Sequence, residues 1–174
     1  MIFLTVGVNY YLISFLAVSF AKPYLQTVCS SLAEALAYAT SGVIYQCLGA
    51  RTSLVLALSL SSLAALAILI QGGAVDEDKQ GTAFTILVML TKFGISGTYN
   101  MQLCTLPVAF TPEVIAAGFG IAHFFAVIFN CTTPFIATMQ EPYPIVIFAI
   151  SSAIAATFSW FIKVDESQRR NKAA

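Results

Sequence analysis

Three ionisable side chains lie near the middle of long apolar runs: Glu34, Lys92 and His123. A charge near the centre of a bilayer is costly, about 2.5–3.5 kcal/mol for Asp, Lys or Arg on insertion scales. Such residues persist where they pair with one another, face water or take part in function. These three positions are therefore the first candidates for chemistry.

Glu34 shares a predicted helical face with Tyr38, and Lys92 shares one with Tyr99. Each charge lies about a dozen residues into its apolar run, which at 1.5 Å per residue is roughly 17 Å deep. Equal depth permits a direct ion pair, which stabilises both charges relative to isolation. Two interpretations follow: a substrate or proton site lined by these four residues, or a structural ion pair that holds helices together.

His123 shares a predicted face with Val127, Asn130 and Pro134. An imidazole near the midplane could relay protons, and the alternative is a neutral histidine that hydrogen-bonds to a neighbouring helix. With no second histidine and no carboxylate within a turn, we expect no metal site. No nucleophile–base pair, phosphate loop or cofactor motif occurs, so we expect neither an enzyme nor a cofactor.

The composition is that of an integral membrane protein. Of the 174 residues, 59% are hydrophobic and 9% are charged, whereas soluble domains carry about 25% charged residues. Net charge is zero and no basic block occurs, which argues against a nucleic-acid partner. The partner that the composition requires is the lipid bilayer.

Six apolar runs have the length of about 20 helical residues that crosses a 30 Å hydrocarbon layer. The predicted helices are 2–20, 24–48, 53–71, 82–106, 114–139 and 145–163. None of these runs alternates in polarity as the strands of a membrane β-barrel do. We therefore predict an all-α, polytopic fold with one transmembrane domain, residues 1–164, and a short charged tail, residues 165–174.

The distribution of basic residues predicts the orientation. An even number of helices puts both termini on one side of the membrane, together with the 2–3 turn. That side carries five basic residues and the other side two: Arg51, Lys163, Arg169, Arg170 and Lys172 against Lys22 and Lys79. The positive-inside bias therefore predicts termini on the cytosolic side or in a matrix-like compartment.

The turn between helices 2 and 3 reads Gly42-Val-Ile-Tyr-Gln46-Cys47-Leu-Gly49-Ala50-Arg51. It resembles the loop signature Gly-x-Leu-x-Asp-Arg-x-Gly-Arg-Arg of the major facilitator superfamily. Three further stretches resemble the organic-ion (cation, anion and carnitine) branch: Tyr10-Tyr11, Leu32-Ala33-Glu34 and Lys92-Phe93-Gly94-Ile95-Ser96.

The resemblance covers residues 4–162 and implies the C-terminal six-helix half of a twelve-helix carrier. Facilitator halves are built of inverted repeats around a midplane site. The candidate substrate-binding residues are then Tyr10, Glu34, Tyr38, Lys92, Tyr99, His123 and Asn130. The loop-signature residues are Gly42, Gly49 and Arg51.

The sequence departs from the family pattern at charged positions. Gln46 stands at the acidic position of the loop signature and Cys47 at its first arginine, and a further family arginine falls on Ile115. In the family these charges control opening and closing. Two functions follow: a half-carrier for a small organic solute that pairs with a second six-helix half or with itself, or a transport-inactive accessory subunit of a larger membrane complex. A fragment of a longer carrier is a third alternative.

Overall fold

The computed structural model describes residues 2–20, 23–72, 81–109, 113–140 and 142–161. Within these ranges the secondary structure is helical and contains no strand, which confirms the all-α prediction. The helices are α1 (Ile2–Ser19), α2 (Pro23–Leu48), α3 (Ala50–Gln71), α4 (Thr82–Ala109), α5 (Ile115–Asn130), α6 (Thr133–Ala137) and α7 (Tyr143–Trp160). The tail 165–174, Lys163 and the basic residues Lys22 and Lys79 lie outside the described residues.

Four segments of the described chain are long and apolar enough to cross a membrane. They are Ile2–Ser19, Ala50–Gln71, Ile115–Ala137 and Tyr143–Trp160. Helices α2 and α4 are long enough to cross a membrane, with 26 and 28 residues, or about 39 and 42 Å at 1.5 Å per residue. They are not among the four segments, and they carry most of the polar side chains that interact between helices. The count of six crossings therefore stays a prediction.

The helices pack around α1, α3 and α4. Helix α3 lies against α4 and α7, α2 lies against α4, and α1 contacts α2, α4, α5 and α7. Large side chains at the centre are fully buried, among them Leu12 on α1, Leu58 on α3, Phe84 on α4 and Phe148 on α7. Helix α5 buries far less of its surface than the other three apolar segments, so most of its side chains point away from the bundle.

Gly94 sets the closest approach between α3 and α4. A Cβ atom built at Gly94 would lie 2.6 Å from the carbonyl oxygen of Ala57 and 2.9 Å from Cβ of Ser61. Ser61 Oγ donates a hydrogen bond of 3.1 Å to the Thr91 carbonyl across the same contact. Small residues allow helices to approach closely in membranes, and here the contact fixes α3 on α4.

The predicted turn between the second and third helices is a single residue, Gly49. Its φ of 86° lies in the left-handed region that glycine adopts without steric strain. Helix α3 consequently begins at Ala50, three residues before the predicted start. Gly72 ends α3 with a φ of 66°, and its N–H bonds to the Leu69 carbonyl, as in left-handed helix caps.

The predicted fifth helix is interrupted at Cys131 and Thr132, between α5 and α6. Pro134 has no N–H to donate to Asn130 and its ring crowds that carbonyl, so the regular hydrogen-bond ladder breaks. Thr132 N–H bonds instead to the Phe129 carbonyl at 3.0 Å. The break divides a predicted continuous helix into two segments.

Two prolines lie at the start of α7. Pro142 is its N-cap residue and Pro144 lies in its first turn. Proline is tolerated there because the first N–H groups of a helix have no acceptor within the helix. Helix α7 therefore begins two residues before its predicted start.

Candidate functional site

Glu34 and Lys92 form the ion pair that their equal predicted depth permits. Lys92 Nζ lies 3.2 Å from Glu34 Oε2, and the two side chains are 4% and 22% exposed respectively. Two full charges at this distance inside a helix bundle stabilise each other strongly, since the local dielectric is low. The pair joins α2 to α4 near the middle of both helices.

Helix α1 supplies two further partners of the Lys92 ammonium. Lys92 Nζ donates a hydrogen bond of 2.6 Å to Ser14 Oγ and lies 3.9 Å from the ring centroid of Tyr10. An ammonium over a ring face is attracted by the quadrupole of the ring. This cation–π interaction contributes about 2 kcal/mol or more when the pair is desolvated. Lys92 therefore has a carboxylate, a hydroxyl and an aromatic face as partners.

The second carboxylate oxygen of Glu34 accepts hydrogen bonds from two tyrosines. Tyr38 OH donates to Oε1 at 2.9 Å, and Tyr10 OH donates to the same atom. The Tyr10 ring also stacks on Tyr99, with centroids 5.2 Å apart and planes at 26°. The structure thus brings together five of the seven candidate binding residues, and we call these five with Ser14 the Glu34–Lys92 cluster.

The ion pair lies between two hydrogen bonds that also join a side chain of α2 to a side chain of α4. The pairs are Gln26 Nε2 to Thr85 Oγ1 at 3.0 Å, Glu34 to Lys92, and Asn100 Nδ2 to Ser41 Oγ at 2.6 Å. Both outer pairs join residues 59 positions apart in the chain, and the middle pair joins residues one position closer. The two helices therefore run parallel in one fixed register, and we call the three pairs the polar ladder.

Two polar side chains on α4 beyond Lys92 are buried without partners. Ser96 Oγ and both amide atoms of Gln102 make no hydrogen bond within the described part of the chain. Buried polar groups are nearly always satisfied in folded proteins, and each exception calls for an explanation. A bound solute or water is one physical way to satisfy them.

His123 and Asn130 lie apart from the cluster, against the first half of α1. His123 is exposed and stacks on Phe119 with ring centroids 5.5 Å apart, while the Phe3 ring is nearly perpendicular to it with centroids 6.5 Å apart. Asn130 lies beside Gly7, where an added Cβ would come within 3.2 Å of its Oδ1. Phe3 is seven residues before Tyr10, or about 10 Å along the helix, so these contacts belong to a different part of the bundle.

The loop-signature residues have separate roles in the structure. Gly42 is partly buried and would have open space around a Cβ atom, and Gly49 forms the turn. Arg51 places its guanidinium 4.3 Å from the ring centroid of Trp160. This contact puts the start of α3 and the end of α7 at the same end of the bundle.

Sequence reasoning missed several polar contacts that the structure contains. Ser14 was not singled out, nor was Asn9, which is fully buried, donates to Ser152 Oγ at 2.8 Å and accepts from Ser151 Oγ at 2.8 Å. A signal for the polar ladder was present, since its members recur every seven or eight residues on both helices. Asn9 offered no such signal, because a single polar residue does not identify its partner.

Among the described residues, no three His, Cys, Asp or Glu side chains come together as a possible metal site. No protein-family model matches the chain, and no curated protein matches it.

Proposed function

We propose that this chain is a transporter-type membrane protein, one half of a major-facilitator-like carrier for a small organic solute. Its second half is another six-helix chain or a second copy of itself. The observation that carries the proposal is the partial exposure of Glu34, whose side chain is 22% exposed while its partner Lys92 is 4% exposed. A carboxylate facing lipid is costly, and this cost falls if that side lines a water-filled cavity completed by a second half.

The chemistry of the cluster suits a solute that forms hydrogen bonds. Tyr38 is 39% exposed, and its hydroxyl can exchange its bond to Glu34 for one to a solute. Ser96 and Gln102 supply buried donors and acceptors without partners on the same helix as Lys92. Midplane sites between two repeats, around which the halves rock, are the general arrangement of such carriers.

A second function, a transport-inactive accessory subunit of a larger membrane complex, is favoured by the coordination of Lys92. Its ammonium already contacts Glu34, Ser14 and the Tyr10 ring. Because these partners lie on α1 and α2, the Lys92 side chain holds α4 against both helices. The cluster would then be structural, and its loss would be felt in stability rather than in transport.

Liposome uptake separates the two functions. The chain, alone and with any co-purifying partner, is reconstituted and assayed for uptake of a panel of small organic solutes. The variants are Glu34→Gln and Lys92→Met, and Ala39→Ser at an exposed position of α2 is the matched control. Carrier function predicts uptake by wild type and control, and loss in both variants while the folded proteins persist.

If the wild type takes up no solute in either preparation, and both variants only lower the unfolding temperature, the carrier proposal is wrong. Purification in mild detergent gives an independent measurement. It shows whether the chain is alone, paired with a copy or bound in a large complex.

A further inference from the structure

A cavity of about 230 Å³ lies between α2, α3 and α4, outside the Glu34–Lys92 cluster. Its floor is formed by Phe93, Gly97 and Met101 of α4, and Ala37 and Ala57 are on its walls. The cavity exists because α3 packs mainly on α4 and α7 and only lightly on α2. We call it the α2–α3 cavity.

Every hydroxyl on the cavity lining is bonded to the backbone of its own helix. Thr40 Oγ1 donates to the Leu36 carbonyl at 2.8 Å, and Ser41 Oγ donates to the Tyr38 carbonyl at 3.2 Å. Ser53 Oγ donates to the Gly49 carbonyl at 2.6 Å. A buried water needs two to four polar partners, and these hydroxyls have no free proton to donate. The cavity therefore suits hydrocarbon rather than water or a polar solute.

The mouth of the cavity opens through exposed leucines. Leu48, Leu56 and Leu60 line it and are 47%, 50% and 37% exposed. Leu56 and Leu60 belong to α3, one of the segments apolar enough to cross a membrane. A bilayer places acyl chains against these residues at very high local concentration.

We propose that the α2–α3 cavity binds an acyl chain of a bilayer lipid, which enters sideways between α2 and α3. Apolar cavities of about 150 Å³ bind benzene, so the larger volume here holds a stretch of alkyl chain but not a headgroup. Gly97 provides the depth, since the nearest atom to a Cβ built there is Cβ of Ala37 at 4.0 Å. The proposal concerns a different site from that of the proposed transport function and does not depend on it.

Photolabelling of the full chain in phosphatidylcholine liposomes tests this site. The probe is a phosphatidylcholine with a diazirine on its acyl chain, and labelled residues are located by mass spectrometry of peptides. Met101 on the floor is 3% exposed, whereas Leu63 on the outer face of α3 is 64% exposed. Surrounding lipid reaches Leu63 in any case, but Met101 is labelled only by a chain inside the cavity.

We expect Met101 to be labelled in the wild type and its label to fall several-fold in Gly97→Leu, with the Leu63 label unchanged. Gly42→Leu is the matched control, because a Cβ there meets nothing within 4 Å. Ala57→Leu fills the cavity from the opposite wall if Gly97→Leu does not fold. Absence of label on Met101 in the wild type would overturn the proposal, as would equal labelling in folded variants that fill the cavity.

Discussion

Lys92 Nζ lies 3.2 Å from Glu34 Oε2, and this ion pair is the middle member of a ladder of three polar pairs joining α2 and α4. Its position explains how two charges persist within apolar helices. Each charge has its counter-ion at the same height, and α1 adds Ser14 and Tyr10 as further partners. The same geometry serves either a binding site or a structural tie, and stability measurements on the pair address the second possibility directly.

Lys92→Met should destabilise the protein more than the double variant Glu34→Gln/Lys92→Met. The single change leaves Glu34 without its counter-ion, and breaking a buried pair in this way costs about 3–5 kcal/mol. We expect a destabilisation at the lower end of this range, because Glu34 remains partly exposed and keeps its hydrogen bonds to the two tyrosines. Unfolding by denaturant in detergent measures the difference. A double variant as unstable as Lys92→Met would contradict the pairing.

Gly94→Ala should destabilise the contact between α3 and α4, whereas Gly97→Ala should be close to neutral. The added Cβ at Gly94 would lie 2.6 Å from a backbone oxygen of Ala57, while at Gly97 the nearest atom is 4.0 Å away. Overpacking of this kind typically costs about 1–3 kcal/mol. Thermal unfolding of the two variants, which differ by one turn on the same helix, gives the comparison. Equal changes in stability would contradict the contact, because the gain in helix propensity from Gly→Ala is the same at both positions.

Trp160→Ala should weaken the attachment of α7 to the start of α3. The guanidinium of Arg51 lies 4.3 Å from the Trp160 ring centroid, and exposed cation–π pairs contribute about 0.5–1 kcal/mol. A double-mutant cycle with Arg51→Gln isolates this term from the lost ring surface. A coupling energy indistinguishable from zero would show that the Arg51–Trp160 contact does not stabilise the protein.

Asn9→Ala should destabilise the packing of α1 on α7. The Asn9 amide is fully buried and bonds to both Ser151 and Ser152, and such bonds between membrane helices average about 0.6 kcal/mol with a maximum near 1.7. Adding Ser152→Ala to Asn9→Ala should cost little more, since the serine has already lost its partner. Full additivity of the two changes would contradict the shared bond.

Helix positions and the central ion pair could be predicted from the sequence because both depend on local pattern. Apolar length placed α2 to within one residue and the end of α3 at Gln71, and equal depth made the pairing of Glu34 with Lys92 possible. The break before Pro134 was not predicted, because a proline in a long apolar run can kink a helix as well as end it. The residue pattern alone did not distinguish a kink from an end.

The neighbours of each helical face could not be predicted in the same way. Ser14, which is not ionisable, lies in the Glu34–Lys92 cluster. His123, which is ionisable, lies outside it. Which faces meet depends on how each helix is rotated within the bundle. That rotation is set by packing contacts such as Gly94 against Ala57 rather than by the polar residue itself.

The polar ladder also has a mechanical consequence. Sliding α2 past α4 by one turn, about 5.4 Å, would separate all three pairs at once. The two helices are thereby coupled as one rigid body, to which the Gly94 contact adds α3. A conformational change of this bundle would therefore move α2, α3 and α4 together.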